Sequence, residues 1–508
     1  MTGRIVWLAC ACPTLAACSD DVLTFRPVID IPVDEDANPL SLISQVELAV
    51  VNGPNAITRR FSRGEQLVLP FEFGEDLVVH MTGFFDADDS VVAYGRTCAF
   101  DLRSDADADT APHLYFSRTR PFADQMQTLA RRRGTAVGLG GSGVMIGGVD
   151  GSGPVAMGEL FNPRTGAVEP IGPFAERTGG VVVAQDAFSR VAVIGGEGAG
   201  AGSIEMYRAG IAGIQTIAAP ELERVGATAL ALPSGDIVVI GGKLVEPPPA
   251  TTAFDARAYV FRGSKQIVEP SGSIMVGRAW HTATRLGSDL GAPILIVGGM
   301  DDAGNALDSV ELFQPFTGDS SARPSLTTPR WGHQAVQLRD GSVLIIGGRN
   351  TSGLVATVER YMPDGTMTVL SADEVGDSWP VFGGVVGFSA TRLADDRILL
   401  AGGLDATGTV VTTAWLVNVN ASSGNVDFVG AEGLAVARAD HQAVLLCDGT
   451  VLISGGTDEP SLAERYNPDR GVAPAQTLLR DVDDVAVGER RNRDLDDRFL
   501  AREAGGDL

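Results

Sequence analysis

The feature that most constrains the fold is a Gly-Gly pair that ends a short apolar run seven times along the chain. The first glycine of each pair follows the previous one by 46 to 57 residues. Self-similarity at such a period indicates an array of repeated supersecondary units. The seven pairs are Gly147 and Gly148, Gly195 and Gly196, Gly241 and Gly242, Gly298 and Gly299, Gly347 and Gly348, Gly402 and Gly403, and Gly455 and Gly456.

Each repeat carries further shared parts around its glycine pair. A tight turn such as Asp340 and Gly341 precedes the apolar run, which predicts a β-hairpin. A Glu-x-aromatic pattern follows most pairs, although the third repeat has Tyr259 in place of the glutamate and the sixth repeat departs further. These features predict four antiparallel strands per repeat. The pattern occurs at Glu159 and Phe161, Glu205 and Tyr207, Glu311 and Phe313, Glu359 and Tyr361, and Glu464 and Tyr466.

The glycine pair, the aromatic residue and the spacing resemble the kelch family over about residues 115–480. The resemblance implies an all-β, seven-bladed β-propeller, to which we assign residues 114–480. Strands that converge on a central channel approach each other closely, which leaves no room for Cβ atoms and explains the glycines. Both residues 472–479 and residues 114–126 have the pattern of an outer strand, and we expect the latter to pack on the last repeat.

A smaller domain precedes the repeats. Residues 41–103 alternate apolar and polar side chains between turn signals, which predicts a β-sandwich with immunoglobulin-like architecture. His80 lies inside one strand pattern and is interpreted as structural. Residues 104–113 are interpreted as a linker: their alternating aspartates resemble the start of a calcium loop, but Thr110 and Phe116 replace the glycine and glutamate that such a loop needs.

The first residues predict export. A basic residue, an apolar run and small residues are typical of a secretory signal, assigned to residues 1–17. The string Leu15 to Cys18 resembles the lipobox of bacterial lipoproteins, which implies lipidation of Cys18 and anchoring in the cell envelope, with the outer membrane favoured. An ordinary signal or an N-terminal core segment remains the alternative. Residues 18–40 are acidic and contain proline, so they are interpreted as a tether.

Only two cysteines remain beyond this segment, Cys98 and Cys447. An exported chain could oxidise them to a disulfide, but their separation in sequence favours two separately buried thiols. Residues 481–508 are charged and lack an apolar period, so they are interpreted as a flexible tail.

The composition excludes some classes of partner. The net charge of −25 argues against nucleic acid, whose phosphates require cationic patches, and against docking on anionic lipid.

Three of the five histidines, His281, His333 and His441, share one repeat position. Equivalent positions in separate repeats point to separate surroundings, so we interpret them as structural and predict no metal, no cofactor and no catalytic residue. An arginine that precedes the first strand of a repeat could pair with a glutamate of the neighbouring one.

A candidate partner-binding face lies where the loops after the glycine pairs meet the segments that lead into each repeat. Tryptophan and arginine at the centre of a patch dominate binding energies. The alternative is that the tryptophans pack between neighbouring repeats. The candidate residues are Trp280, Trp331, Arg278, Arg330, Arg438, Asp301, Asp302, Arg349, Asn350, Asp405 and Asp458.

Two functions remain open from the sequence. The first is a monomeric, lipid-anchored protein of the cell envelope whose propeller binds or scaffolds a protein or glycan partner, with the membrane contacted through the lipid alone. The second is an envelope enzyme that acts on a carbohydrate or a small carbonyl compound through dispersed catalytic residues. Fold alone does not separate them, because propellers host both.

Overall fold

The structure is a computed structural model of the 508-residue chain. Its regular structure is β, and the one helical segment that lies wholly within the described residues is the 3-10 turn Pro220–Leu222. The all-β prediction is therefore confirmed. No helix among the described residues combines the length and apolarity needed to cross a bilayer. The described residues are 3–4, 27–52, 55–65, 67, 74–85, 90–102, 112–127, 134–185, 188–247, 253–370, 385–419, 426–456 and 462–468.

The N-terminal region contains two sheets that share one apolar core. Ile29 and Leu114 of the smaller sheet belong to the same buried cluster as Leu48 and Val79 of the larger one. The larger sheet has strands Asn55–Ser62, Ile43–Asn52, Gly74–Phe85, Val91–Arg96 and Ser117–Arg118 in that spatial order, with Phe100–Leu102 beside Gly74–Phe85. The smaller sheet has strands Gly3–Arg4, Val28–Ile31 and His113–Tyr115.

The predicted tether and the predicted boundaries of the first domain are corrected here. Val28–Ile31 lies within the expected tether 18–40, yet it is a strand that pairs in parallel with His113–Tyr115. Its two isoleucines are buried. The sequence did not predict this strand, because the acidic residues around the isoleucines gave the segment the composition of a tether. The lipobox, residues 103–111 and the tail 481–508 lie outside the described residues.

From residue 122 onward the chain forms seven four-stranded antiparallel sheets, numbered here in chain order of the repeats. Sheet 1 comprises Thr135–Leu139, Ser142–Ile146, Gly158–Asn162 and Ala167–Ile171; sheet 2 Val181–Gln185, Arg190–Ile194, Ser203–Arg208 and Gln215–Ala218; sheet 3 Thr228–Ala231, Ile237–Ile240, Arg257–Arg262 and Ile267–Ser273. Sheet 4 comprises Thr282–Arg285, Ile294–Val297, Val310–Phe313 and Ser320–Arg323; sheet 5 Gln334–Gln337, Val343–Ile346, Glu359–Tyr361 and Met367–Val369. Sheet 6 comprises Ser389–Arg392, Ile398–Ala401, Ala414–Val419 and Val426–Ala431; sheet 7 Gln442–Leu445, Val451–Ser454, Leu462–Tyr466 and Phe122–Gln127.

Three additional two-stranded ribbons lie in loops between these strands. Their strand pairs are Val149–Asp150 with Gly153–Pro154, Arg224–Val225 with Lys243–Leu244, and Arg349–Asn350 with Gly353–Leu354.

The continuous apolar runs of the repeats are strands buried on both faces. In sheet 4, Ile294 and Ile296 pack toward sheet 3, whereas Leu295 and Val297 pack toward sheet 5. Successive side chains of a strand point to opposite faces, so a run without polar residues is required where both faces meet another sheet. Each such buried side chain stabilises the fold by about 1.5–3 kcal/mol.

The first strands of successive sheets are neighbours, and the first strand of sheet 7 also contacts the first strand of sheet 1. Sheet 7 takes its outer strand from the other end of the repeat region, because Phe122–Gln127 pairs antiparallel with Leu462–Tyr466. The prediction that residues 114–126 pack on the last repeat is thus confirmed for the strand within that segment. The competing segment, residues 472–479, lies outside the described residues.

A disulfide joins Cys98 of the N-terminal region to Cys447 of sheet 7. The expectation of two separate thiols was therefore wrong: the chain brings the two Cα atoms to 5.0 Å although 349 residues separate them. The contact around the bond is polar and buried, since Arg96 Nη2 donates to the Cys447 carbonyl at 2.6 Å and Asn467 Nδ2 donates to the Tyr94 carbonyl at 2.6 Å. The disulfide thus lies inside a hydrogen-bonded contact between the N-terminal region and sheet 7.

Candidate binding face

The three arginines proposed for the partner-binding face are buried, which corrects that assignment. Arg278, Arg330 and Arg438 are completely inaccessible to solvent, each beside a buried carboxylate of the third strand. Arg330 shows the arrangement: its Nη2 donates to Glu359 at 2.6 Å, and its Nη1 donates to the Gly347 carbonyl at 3.2 Å. Burial lowers the pKa of Arg330, and the charge of Glu359 opposes that shift. These side chains cannot contact a partner.

This arginine–carboxylate clasp recurs in other sheets, with both residues in the same sheet unit rather than in neighbouring ones as we had hypothesised. The carboxylate also accepts backbone N–H groups from the segment that arrives from the preceding sheet. For Glu359 these donors are Thr327 at 2.7 Å and Thr328 at 3.3 Å. Each clasp whose carboxylate is a glutamate therefore fixes a crossover between two sheets, whereas Asp255 receives its backbone donor from Arg257 of its own sheet. The other pairs are Arg177 with Glu205 at 2.5 Å, Arg224 with Asp255 at 3.1 Å, Arg278 with Glu311, and Arg438 with Glu464 at 2.9 Å.

The three repeated histidines join adjacent sheets. Nε2 of His333 lies 2.9 Å from the Thr282 hydroxyl on the first strand of the preceding sheet. His281 and His441 make the same contact, with Thr228 at 2.9 Å and Ser389 at 2.7 Å. Burial lowers the pKa of each histidine to about 3, and the neighbouring arginine charge adds to the effect, so all three are neutral. Among the described residues no group of three or more potential ligands could hold a metal ion.

The glycine pairs make close approaches possible at the same place. Gly298 has a φ of 57°, and a Cβ there would lie 2.5 Å from the Arg330 carbonyl oxygen and 3.0 Å from Cε1 of His333. Gly299 has a φ of 101°, and its Cβ would lie 2.9 Å from Cβ of His281. Both the backbone conformation and the space therefore require glycine.

Aromatic side chains form a stripe across sheets 3, 4 and 5, which we call the aromatic stripe: Phe254, Trp280 and Trp331. The ring centroids of Phe254 and Trp280 are 6.0 Å apart, and those of Trp280 and Trp331 are 6.2 Å apart. Phe254 is buried, whereas both tryptophans are half-buried. The rings thus pack between neighbouring sheets, as the alternative interpretation expected, and keep part of their surface in solvent. Separations of this size are typical of interacting aromatic pairs.

Trp280 occupies an unusual backbone conformation. Its φ is 53°, in the left-handed region that a bulky residue rarely adopts. Its N–H donates to the Gly226 carbonyl at 2.8 Å, and the Gly332 N–H donates to the Trp280 carbonyl at 3.2 Å. Gly226 and Gly332 hold the same position in sheets 3 and 5 and have φ values of 66° and 65°. The repeat thus uses glycine at this point in the two flanking sheets, and sheet 4 places an indole there.

The remaining candidates lie in the loops after the glycine pairs. Asp301 and Asp405 accept hydrogen bonds within their own turns, from Asn305 N–H at 2.8 Å and Thr409 N–H at 2.9 Å respectively. Asp302 accepts the Ala253 N–H from the neighbouring sheet at 3.1 Å. The side chains of these aspartates therefore order the loops. Asp458 lies outside the described residues.

Arg349 is brought to the stripe, and Asn350 beside it supports its loop. The guanidinium carbon of Arg349 lies 5.3 Å from the centroid of Trp331, and the backbones of the two residues exchange hydrogen bonds of 3.0 Å. Asn350 Nδ2 donates to the Pro329 carbonyl at 3.1 Å. Sequence reasoning missed Phe254, because it stands in an irregular segment with no repeat signal.

His80, the histidine of the first domain, contacts a neighbouring strand, since its Nδ1 lies 2.5 Å from the Tyr94 hydroxyl. This contact is consistent with the structural role predicted for it. His80 is buried and lies far along the chain from the aromatic stripe. It has no place in the candidate face.

Comparison with known proteins finds similar solved structures but no family. No family model matches the chain, and no curated protein matches it. One of these solved structures, titled "Structure of YjhT", has a TM-score of 0.45 and 15% sequence identity, over 60% of this chain and 99% of that one. A similarity of that size supports no conclusion about fold or function, so the proposals below are based on the residues of this chain.

Proposed function

We propose that the seven sheets are the blades of a kelch-type β-propeller and that the N-terminal region is a small β-sandwich. The contacts among the first strands support this, since they follow a cyclic order in which sheet 7 also touches sheet 1. The core shared by the two N-terminal sheets supports the sandwich. A crystal structure with a central channel lined by the seven first strands is the expected result, and an open array would contradict it.

The lipobox and the disulfide support an exported, lipid-anchored protein. Disulfides persist in oxidising compartments and are rare in the cytosol, so the bond between Cys98 and Cys447 is consistent with export. The string that ends at Cys18 supplies the acceptor thiol. Metabolic labelling with a fatty acid should mark the wild-type protein and spare the Cys18→Ser variant, and equal labelling of both would exclude Cys18 as the lipidated residue.

The propeller is a binding or scaffold module that captures an envelope partner on the face bearing the aromatic stripe. The observation that carries this proposal is the pair of half-buried tryptophans, Trp280 and Trp331, in contact across two sheets. Aromatic side chains at the centre of an interface supply much of its binding energy. The candidate aspartates Asp301, Asp302 and Asp405 accept backbone hydrogen bonds that order the loops. The tryptophan rings and the nearby cations are therefore the groups that a partner would contact.

Partner capture from solubilised envelope with the full-length protein tests this function. The double variant Trp331→Ala with Arg349→Ala should abolish capture and leave the melting temperature within a few degrees of wild type. Lys265→Ala is the matched control, because Lys265 is exposed in a hairpin turn on the opposite face. Undiminished capture by the double variant would move the site off this face.

A further inference from the structure

Two exposed cations flank the aromatic stripe, one at each end. Lys243 forms a backbone bridge with Phe254, and Arg349 forms one with Trp331. Both side chains are exposed, and neither has an ion-pair partner among the described residues. The protein has only two lysines and a net charge of −25, and this row places a cation at each end of two half-buried indoles that pack beside the buried ring of Phe254.

Two carboxylates in the loops beside this row accept backbone hydrogen bonds. Asp302 accepts the Ala253 N–H at 3.1 Å, and Asp301 accepts the N–H groups of Ala303 at 3.0 Å and Asn305 at 2.8 Å. These hydrogen bonds hold the loops on either side of Phe254 and Trp280, and among the described residues neither aspartate forms an ion pair with Lys243 or Arg349. The stripe therefore offers apolar ring faces between two available positive charges.

We propose that this row is a binding site for a carboxylate-bearing glycan, a proposal that rests on the binding function given above and names its ligand class. The C–H face of a pyranose ring packs on an indole, and a uronate carboxylate pairs with a flanking cation. Arginine is suited to bidentate carboxylate recognition, whereas lysine provides a mobile point charge.

The backbone conformation of Trp280 explains how the indole is placed in the row, although Asp440 holds the same conformation at the equivalent position of sheet 7. A non-glycine residue in the left-handed region is costly, and such residues persist where the surroundings over-determine them, often at ligand sites. Glycine would satisfy the backbone, as Gly226 and Gly332 do in the flanking sheets. The indole instead lies against Gly226, where a Cβ would come within 3.0 Å of the ring. The strain places the indole between Phe254 and Trp331, and a glycan stacked on the row makes use of that position.

A glycan is favoured over an acidic peptide because a sugar ring can stack on the indoles, whereas acidic side chains would pair only with the two cations. Two half-buried indoles, with planes inclined at 50°, present ring faces that follow consecutive sugar units of a twisted chain. A peptide of acidic side chains would depend on Lys243 and Arg349 and would gain little from the indoles. The two ligand classes therefore respond differently to substitutions of the rings and of the cations.

The experiment measures the dissociation constants of full-length protein for three probes. These are an oligogalacturonate, the same oligosaccharide with its carboxylates methyl-esterified, and a polyglutamate peptide of equal charge. Oligogalacturonate should bind best. The ester should bind at least ~10-fold more weakly, because the ester keeps the pyranose rings but lacks the negative charges of the carboxylates. No binding of oligogalacturonate, or tighter binding of polyglutamate, would overturn the proposal.

Variants assign each part of the row. Lys243→Ala with Arg349→Ala should remove the preference for the acid over the ester, whereas Trp331→Ala should weaken both sugars about tenfold or more. Trp280→Gly should weaken both sugars about tenfold or more while the variant stays folded by circular dichroism, since glycine adopts the left-handed backbone without strain. Lys265→Ala is the charge-matched control and should leave all affinities unchanged. A Trp280→Gly variant that binds as wild type does would contradict the proposal.

The outcomes separate this proposal from the binding function. If the envelope partner is still captured through Trp331 but no oligogalacturonate binds, the ligand class is wrong and the binding face stands. If neither is captured, the binding function itself fails.

Discussion

At the scale of single residues, the repeat explains why the three histidines are neutral and buried. Each ring lies against the first glycine of the preceding sheet and reaches a hydroxyl there, as His333 does with Thr282. Sheet 6 has Phe388 at the same place, and the preceding sheet has Gln334 where the others have a hydroxyl residue. The hydroxyl therefore accompanies the imidazole, and the position serves sheet-to-sheet packing.

This arrangement predicts a pH-dependent stability. The folded pKa of about 3 lies below the 6.5 of an exposed histidine, so the unfolded chain binds more protons between these values. The free energy of unfolding is greatest above pH 6.5 and falls as the pH is lowered, with each fully titrating histidine contributing about 1.4 kcal/mol per pH unit. Denaturant unfolding of His333→Phe between pH 6.5 and 5 should show a dependence on pH that is less steep than that of wild type by up to about 1.4 kcal/mol per pH unit. An unchanged slope would contradict the assignment.

At the scale of elements, the crossover segments are held by the buried clasps. Arg330 and Glu359 are both completely buried, and the carboxylate also receives two backbone donors of the segment before Arg330. The removal of one partner from a buried pair leaves an uncompensated charge, which is far more costly than the loss of a surface pair. The clasp therefore couples the end of one sheet to the start of the next.

Glu359→Ala is expected to lower the free energy of unfolding by about 3–5 kcal/mol because Arg330 is left buried without its carboxylate. The amide protons of Thr327 and Thr328 should also exchange faster in hydrogen exchange, since their acceptor is gone. Glu269→Ala is the control: its partner Arg262 and Glu269 itself are partly exposed, at 33% and 40%, so its loss should cost about 1 kcal/mol or less. Equal melting temperatures for Glu359→Ala and wild type would refute the clasp.

At the scale of the whole molecule, the two ends of the repeat region are joined in two ways. Phe122–Gln127 completes sheet 7 beside Leu462–Tyr466, and Cys98 is bonded to Cys447 of the same sheet. The N-terminal region thus supplies a covalent bond to the last sheet, and the start of the repeat region supplies its outer strand. Cross-links between residues distant in sequence restrict the unfolded chain most strongly in the chain-entropy account.

Reduction of the disulfide is expected to destabilise the whole chain. The double variant Cys98→Ser with Cys447→Ser should lose about 2–5 kcal/mol of stability and melt at a lower temperature. Wild-type protein should melt lower with a strong reductant than without it, whereas the variant should be insensitive to reductant. A wild-type melting temperature that does not respond to reductant, with the reduced state confirmed by thiol titration, would show that the bond has no such role.

The sequence by itself determined the number of sheets and the strands within each repeat, because a glycine pair, a hairpin turn and an apolar run report on residues that are close in the chain. It also anticipated that the histidines are structural. It did not reveal that Arg278, Arg330 and Arg438 are inaccessible to solvent. Their burial depends on a carboxylate some thirty residues further along the chain, and local sequence does not show that contact.

Only the tertiary structure decided the contacts between distant residues. Cys98 and Cys447 bond, Val28–Ile31 pairs with His113–Tyr115, and the stripe gathers rings from three sheets. These contacts depend on how sheets pack on one another, and that packing follows from the burial of both faces of each second strand. Local periodicity therefore defines the elements, whereas the hydrophobic contacts between them determine which side chains meet at the binding face.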